Sequence, residues 1–341
     1  MKVYIHGFEG NGWSIDNDKK YIIESIKECG IKTTRTPFLA KYIHSLWWNN
    51  FINKKLYLLH FFSNIFLTCS NFIDPDDENF RLYHEFSIAR KTTDLWITPS
   101  TKQKNILDKI GLATFYMPFF IDYEMFSHKS RLNPKEICAK YNIPFELLEG
   151  KIIIGSFQRD SLGTNLFIPK WQKNPDGLIE ILRHSDKSKY ILLLAGPRRH
   201  YIRKKCKQYN IPFVFVGRET SNDDMNVNIL SSQEIKELYS LIDIVLCTSV
   251  MEGGPKCILE SAASGVLCLS TDVGLASDIL PTECIYDSIY QLGKAFDLFI
   301  NNKEYFKKYI SFSQNKCYKL INKEARKKYI QSLYLNDFLR R

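Results

Sequence analysis

Two glutamates, Glu252 and Glu260, lie on either side of a Gly-Gly-Pro turn and give the strongest chemical signal in the sequence. A β-branched apolar run that ends at Ser249 precedes the turn, and a short helical pattern that ends at Gly265 follows it. At about 100° per residue, Glu260 lies opposite the apolar face of that helix, so both carboxylates can face the same side. Carboxylates beside a glycine turn and uncapped helix amides suit a ligand that carries hydroxyls and an anionic group. The alternative is a solvated loop followed by a surface pair of Lys256 and Glu260.

Composition predicts a globular cytoplasmic protein. The 341 residues, of which 45% are hydrophobic, are enough for two domains. Nine cysteines without a CxxC motif indicate reduced thiols rather than a disulfide framework. The first strand pattern is too short and too polar for a signal peptide. Residues 56–73 hold too many polar side chains for a membrane span, so two adjacent buried strands are predicted there.

Strand and helix patterns alternate along the chain, which predicts an α/β protein with doubly wound parallel sheets. The pattern is clear from residue 151 onward, where five apolar strands are separated by helices. The first half shows it less clearly, with strands predicted over residues 2–6, 32–36, 55–62, 65–70, 95–98 and 114–120. The predicted organisation is an N-terminal domain over residues 1–125, a linker over 126–150 and a C-terminal domain over 151–311, with the segment 312–341 returning to the N-terminal domain.

The segment around the two glutamates resembles the nucleotide-sugar site of retaining glycosyltransferases of the GT-B fold, particularly family four (glycosyl transferases group 1). In that family a Glu, seven residues and a second Glu follow a strand. The resemblance is strongest over residues 151–280 and implies two Rossmann-like domains that face each other across a cleft. It implies that Glu252 binds hydroxyls of the donor sugar and that Glu260 binds the ribose. The other donor-binding residues implied at the turn are Gly253, Gly254, Pro255, Lys256 and Cys257.

A nucleotide-sugar diphosphate needs cations when no metal is used, and the resemblance assigns this role to Arg159 and Lys173. The residues 160–172 are an insertion relative to the family spacing, and Lys170 could substitute for Lys173.

Further residues are assigned to the donor and acceptor by their place in the fold that the resemblance implies. Gly217 and Arg218 follow a strand where the nucleotide base would lie. The N-terminal glycine loop contributes Gly10 and Gly12 to the donor site, and Ser70 and Asn71 stand on the acceptor side, where the family often carries a His.

The resulting hypothesis is a retaining, metal-independent glycosyltransferase that moves a sugar from a UDP- or GDP-sugar to a glycan or lipid-linked acceptor. No cofactor is predicted. A sugar-nucleotide epimerase or hydrolase of the same fold is an alternative, but it would need a base that the sequence does not reveal. An inert glycan-binding or membrane-binding relative is the other alternative.

The formal net charge of +10 bears on the partners. Basic side chains are concentrated in residues 198–207 and 303–341, where they either attract an anionic membrane surface or form solvated helix faces. Nucleic acid is not expected, since no known binding module accompanies the charge. Trp47 and Trp48, close to Lys54 and Lys55, form either an aromatic-basic face or part of the buried core.

Overall fold

The computed structural model describes residues 1–8, 10, 14–77, 80–128 and 132–335. The chain divides into two compact units. Unit 1 comprises Met1–Ile121 and Lys319–Arg341, and unit 2 comprises Asp122–Tyr318. These divisions fall after residues 121 and 318, whereas the sequence placed domain ends at residues 125 and 311 with a separate linker between the domains.

Unit 1 is built on one parallel six-stranded sheet with the strand order β2-β1-β3-β4-β5-β6. Its strands are β1 (Lys2–His6), β2 (Lys32–Thr33), β3 (Tyr42–Ser45), β4 (Asn64–Thr68), β5 (Leu95–Thr98) and β6 (Thr114–Tyr116). Its helices are α1 (Ser14–Glu28), α2 (Trp48–Asn53), α3 (Tyr83–Thr92), α4 (Thr101–Lys109) and, from the C-terminal segment, α14 (Lys323–Tyr334), with short 3₁₀ helices at Pro37–Leu39 and Leu56–Phe61.

The prediction of a strand over residues 55–62 is wrong, because Leu56–Phe61 forms a 3₁₀ helix. This apolar run contains no β-branched residue, and it begins after Lys55, whose φ of 57° lies in the left-handed region. Strand β3 was missed because His44 and Ser45 read as polar, although all four of its residues are buried. The buried His44 is satisfied on both sides: Nδ1 lies 2.7 Å from Tyr334 Oη, and Nε2 lies 2.8 Å from Thr68 Oγ1.

The same contacts anchor the chain's last helix to the sheet of unit 1. The Tyr334 ring of α14 also stacks on Phe66 at a centroid distance of 6.0 Å. Trp48 and Phe51 are fully buried in the core, and Trp48 meets Trp96 edge to face at 5.9 Å. Of the two alternatives for the Trp47 and Trp48 pair, burial in the core is therefore correct for Trp48.

Unit 2 holds a second parallel six-stranded sheet with the order β12-β11-β10-β7-β8-β9, which is the Rossmann order read from one edge. Its strands are β7 (Ile152–Ser156), β8 (Tyr190–Ala195), β9 (Phe213–Val216), β10 (Ile244–Cys247), β11 (Leu267–Thr271) and β12 (Ile285–Tyr286). Its helices are α5 (Tyr123–Ser127), α6 (Pro134–Lys140), α7 (Pro175–His184), α8 (His200–Gln208), α9 (Ser232–Tyr239), α10 (Lys256–Ser264), α11 (Ala276–Ile279), α12 (Ile289–Asn301) and α13 (Lys303–Ile321), with 3₁₀ helices at Phe145–Leu147, Trp171–Lys173 and Thr282–Cys284. The two sheets confirm the predicted α/β class, and the two-residue β12 adds a sixth strand to the five predicted.

The helix that carries Glu260 forms as predicted. Pro255 occupies the N-cap of α10, and Gly265 ends the helix in the left-handed conformation with a φ of 69°. Ile258, Leu259 and their neighbours at Ala262 and Ala263 are buried against the sheet. Among the described residues, no helix has both the length and the apolar character that crossing a bilayer requires.

Candidate active site

The candidate site lies in unit 2, where the strand order reverses between β7 and β10. These strands are adjacent, with Ile154 opposite Ile244 and Gly155 opposite Val245. The loops at their carboxyl ends therefore meet at the topological switch point, where doubly wound folds bind ligands. The loop after β7 carries Arg159, and the loop after β10 carries Glu252.

A salt bridge between Lys173 and Glu252 is at the centre of this site. Their side chains are 19% and 14% exposed, so water screens the pair only weakly. Burial alone would lower the pKa of Lys173, but the adjacent Glu252 carboxylate outweighs burial and raises it. Lys173 therefore remains a cation through the neutral range. The second carboxylate oxygen, Oε1 of Glu252, is buried and has no hydrogen-bond partner among the described residues, so it can accept a hydroxyl from a ligand.

Backbone contacts fix Lys173 beside Glu252. The N–H of Val250 donates to the carbonyl of Gln172 at 2.9 Å, and the Thr248 hydroxyl donates to the carbonyl of Asn174 at 2.9 Å. These two bonds tie the loop after β10 to the Trp171–Lys173 turn. The two loop backbones thus hold Lys173 and Glu252 next to each other, and the side chains complete the contact with their salt bridge.

Glu260 lies in the same electrostatic environment. Its Oε2 accepts a hydrogen bond of 3.1 Å from the hydroxyl of the buried Tyr239, which comes from the end of α9. Burial raises the pKa of Glu260, while Lys256, the Tyr239 hydroxyl and Lys173 act in the opposite direction. Lys173 therefore acts on both glutamates. Phe157, just after β7, packs edge to face on Tyr239 at 5.3 Å and positions the phenol.

The glycine turn leads directly into an uncapped helix. Gly253 and Pro255 are buried, whereas Gly254, Lys256 and Cys257 are half-buried. No side chain caps α10, so the turn delivers amides at the positive end of a helix to the site. A hydrogen bond with the Cys247 thiol, and then burial, raise the pKa of Cys257, so it stays a neutral thiol.

Gly274 supports this turn from the loop after β11, and sequence reasoning missed it. Its φ is 52°, and a Cβ atom there would lie 2.9 Å from the carbonyl oxygens of Glu252 and Gly253 and 3.0 Å from Cδ of Pro255. Only glycine allows this close approach without displacing the loop that carries Glu252.

Arg159 is half-buried in the loop after β7. The insertion that follows it folds into a closed hairpin, in which Ser161 bridges Pro169 and the N–H of Leu162 donates to the carbonyl of Ile168. At the base of this hairpin, the N–H of Lys170 donates to the carbonyl of Asp160 at 2.8 Å. The backbone beside Arg159 is therefore adjacent to the backbone that leads to Lys173, although thirteen residues separate them in sequence.

A buried ion pair that the sequence did not reveal anchors this loop. Arg199 Nε lies 2.9 Å from Asp160 Oδ2, and Arg199 Nη2 donates to the Ser156 hydroxyl at 2.7 Å. Both charged side chains are almost fully buried. In the sequence, Arg199 is one of several basic residues predicted either to be solvated or to attract an anionic surface, and only its position at the start of α8, beside the end of β7, distinguishes it.

Gly217 and Arg218 are exposed and follow β9, two strands away from β7. The Asn228 side chain holds this segment: its Oδ1 accepts the N–H of Arg218 at 2.7 Å, and its Nδ2 donates to the Arg218 carbonyl at 2.9 Å. The structure gives this part of the site a rigid backbone and leaves the role in base binding as a prediction.

The remaining predicted residues belong to unit 1. Gly10 is exposed with a φ of 82°, and Gly12 lies outside the described residues. Ser70 and Asn71 follow β4 at the carboxyl edge of the sheet, where Asn71 Nδ2 donates to Asn49 Oδ1 at 3.4 Å. Across the described part of the chain, no three His, Cys, Asp or Glu side chains are grouped as a metal site would require.

Comparison with known proteins identifies the class. Residues 169–315 match the family described as glycosyl transferases group 1, a segment that contains Lys173, Glu252 and Glu260. Part of unit 2 thus matches this family, and the chain has the GT-B fold, as the resemblance had indicated.

Solved structures of similar fold extend over nearly the whole chain. HepE of Anabaena in complex with UDP and glucose has a TM-score of 0.73 at 13% identity, covering 98% of this chain and 99% of that one. Sucrose-phosphate synthase of Thermosynechococcus elongatus has a TM-score of 0.74 at 13% identity, covering 99% of each chain. WaaG, a glycosyltransferase involved in lipopolysaccharide biosynthesis, has a TM-score of 0.68 at 12% identity, covering 98% and 100%. At these identities the likeness establishes the fold. No curated protein matches this sequence significantly.

Proposed function

We propose that this protein is a retaining, metal-independent glycosyltransferase that transfers a sugar from a UDP- or GDP-sugar to a glycan or lipid-linked acceptor. The observation that carries the proposal is the cluster of Lys173, Glu252 and Glu260 beside the uncapped start of α10, at the switch point of a Rossmann-type sheet. A nucleotide sugar presents hydroxyls at both ends and a diphosphate between them, and this cluster offers a matching order of carboxylates, cation and amides.

Lys173 and Arg159 would neutralise the diphosphate as it departs. Because the salt bridge with Glu252 already fixes the Lys173 ammonium, little reorganisation is needed when charge develops on the leaving phosphate. The helix amides at Lys256 and Cys257 add positive potential at the same place. Much of the rate enhancement would come from this fixed positive charge, since the terminal phosphate of the leaving nucleotide gains a negative charge as its bond to the sugar breaks.

The two glutamates would hold the two sugars of the donor. Glu252 directs its unpartnered Oε1 at hydroxyls of the transferred sugar, while Oε2 stays paired with Lys173. Glu260 accepts the ribose hydroxyls, with Tyr239 donating to its other lone pairs. Gly217 and Arg218 would lie along the base, and Gly10 and Gly12 would allow close approach of the donor from the N-terminal domain. Ser70 and Asn71 would contact the acceptor.

Retention of configuration would follow from attack of the acceptor hydroxyl on the face that the nucleotide leaves, with the leaving phosphate taking the proton. No dedicated protein base is then required. UDP is favoured as the nucleotide because HepE, of similar fold, binds UDP and glucose. The protein would work in the cytoplasm, and its positive charge favours an anionic membrane surface as the place where a lipid-linked acceptor is met.

The test is a donor panel of UDP-, GDP-, ADP- and dTDP-sugars, in which nucleotide release is measured with EDTA present, without acceptor and then with candidate acceptors. One donor should turn over, faster with acceptor and equally well in EDTA, and the anomeric configuration of the product should match that of the donor. Glu260→Ala should weaken nucleotide binding, whereas Glu180→Ala, an exposed helix carboxylate, should not. Turnover that requires added metal, or an inverted product, would contradict the proposal. Epimerised or hydrolysed donor that acceptors do not affect would support the alternative activities.

A further inference from the structure

Unit 1 exposes a compact set of large apolar side chains that the proposed reaction does not use. Phe38 and Leu39 are 73% and 61% exposed, and Phe61 and Phe62 are 73% and 78% exposed. Phe38, Leu39 and Phe61 lie in the 3₁₀ helices that precede β3 and β4, and Phe62 is the C-cap of the second one. We call these four residues the aromatic edge. Contiguous exposed apolar surface of this kind marks an interaction site in proteins that otherwise bury such side chains.

Backbone contacts show that the two pairs are neighbours. The Ser63 hydroxyl donates to the Ala40 carbonyl at 2.8 Å, and the N–H of Asn64 donates to the Lys41 carbonyl at 3.0 Å. The residues immediately after Leu39 and after Phe62 are thus hydrogen-bonded to each other. The aromatic edge lies at the amino ends of adjacent strands, at the opposite end of the sheet from the loops that carry Ser70 and Asn71.

A row of lysines flanks the aromatic edge. Lys32 and Lys2 are in register at the starts of β2 and β1, and the N–H of Lys41 donates to the Lys2 carbonyl at 2.9 Å. All three lysines are exposed. With neighbouring strands about 4.8 Å apart, three like charges are held along one edge of the sheet. These three positive charges repel other cations and attract an anionic surface.

We propose that the aromatic edge and its lysine row bind the surface of an anionic lipid bilayer. Phenylalanine and leucine side chains enter the boundary between headgroups and acyl chains, while the lysines contact the phosphates. A second copy of this chain fits less well, because a two-fold contact through this edge would oppose the two lysine rows. The sequence left Trp47 and Trp48 as either an aromatic-basic face or part of the core; Trp48 is buried, and the exposed aromatic side chains are Phe61 and Phe62.

Bilayer contact at this edge has a geometric consequence. The five residues of β4 extend about 16 Å at 3.3 Å per residue, so the loops at the carboxyl ends of the strands stand about that far from the bound lipid surface when the strands lie along the bilayer normal. Given the proposed function, an acceptor that reaches Ser70 and Asn71 is therefore a glycan that extends beyond the headgroups. The inference about the bilayer itself does not depend on which donor is used.

The experiment is cosedimentation of the full chain with vesicles of phosphatidylcholine alone and of phosphatidylcholine with about one-third phosphatidylglycerol. The wild-type protein should bind the anionic vesicles at least about tenfold more tightly, with loss of binding at high salt. Phe61→Ser/Phe62→Ser should reduce binding to anionic vesicles about tenfold or more. Lys2→Gln/Lys41→Gln should reduce it severalfold and flatten the salt dependence.

The matched control is Phe167→Ser/Ile168→Ser, which removes an apolar pair that is 52% and 45% exposed on the insertion hairpin of unit 2. Binding of this variant should stay within about twofold of wild type. Equal loss of binding in the control, or no binding by wild type, would overturn the proposal. A change from dimer to monomer in Phe61→Ser/Phe62→Ser, without vesicle binding by wild type, would assign the edge to a second copy. Vesicle binding is measured without a sugar donor, so a negative donor panel would not affect the conclusion about the bilayer. Likewise, a lack of vesicle binding would not affect the conclusion about glycosyl transfer.

Discussion

Removal of one partner from the Lys173 and Glu252 pair should destabilise unit 2 as well as stop turnover. Lys173→Met leaves the Glu252 carboxylate, only 14% exposed, with both oxygens unpaired. Breaking a fully buried pair in this way costs about 3 to 5 kcal/mol. Because these side chains keep some contact with water, we expect about 2 to 3 kcal/mol here. Glu252→Gln should cost less, about 1 to 2 kcal/mol, since the neutral amide can still accept from the ammonium.

The double variant Lys173→Met/Glu252→Gln isolates the interaction. Because the second substitution removes the unpaired carboxylate that the first one creates, the double variant should be more stable than the sum of the two by about 1.5 kcal/mol or more. Urea denaturation followed by near-UV circular dichroism measures each value, and the melting temperature of unit 2 should fall by about 5 to 10 °C in Lys173→Met. Lys170→Met, on the neighbouring half-buried lysine, is the control and should cost less than about 1 kcal/mol.

If the destabilisation of the double variant equals the sum of the two single values within about 0.3 kcal/mol, the reasoning is refuted. Lys173 and Glu252 would then contribute independently to stability, as a solvent-screened surface pair does. Equal destabilisation by Lys170→Met would show that the loop depends on lysine side chains in general rather than on this ion pair. Nucleotide binding measured in parallel separates the two roles of Lys173. Loss of binding in a variant that remains folded would come from the missing cation.

Three further predictions concern the support of the site and the core of unit 1. Gly274→Ala should weaken nucleotide binding at least about tenfold, because its Cβ would displace the Glu252 carbonyl. The control is Gly111→Ala, at a position with a φ of 76° and open space around it. It should lower the free energy of unfolding by only about 1 kcal/mol and leave nucleotide affinity unchanged. Tyr239→Phe removes a hydrogen bond that lowers the pKa of Glu260, so this pKa should rise further in the variant. Calorimetry should show UDP affinity about threefold to tenfold lower, and on acidification the affinity should be lost at a higher pH than in the wild type. An unchanged pH profile would contradict this. Burial lowers the pKa of His44 from 6.5 to about 3, so its contribution to stability is complete above pH 6.5 and declines by about 1.4 kcal/mol per pH unit as the pH falls toward 3; the slope should be smaller by that amount in His44→Gln.

The sequence was most informative where local pattern and chemistry coincide. The run from Ile244 to Thr271 has two apolar strands, a proline at the helix start and a glycine at its end, and each of these acts within a few residues. Its helix and strands therefore formed as predicted. The region 55–62 lacked such signals, because an apolar run of Leu, Tyr and Phe suits a strand, a helix or a turn equally. Only its neighbours in the sheet decided the outcome.

The amino-acid sequence by itself determined the α/β class, the parallel sheets, and the loop and helix that carry Glu252 and Glu260, since these depend on short-range spacing. The tertiary structure decided which lysine meets Glu252, because the hairpin closed between Asp160 and Lys170 brings Lys173 beside it. It also decided that Arg199 is a buried anchor and that Phe61 and Phe62 are exposed. Burial and ion pairing join residues that are far apart in sequence, so only the folded chain can specify them.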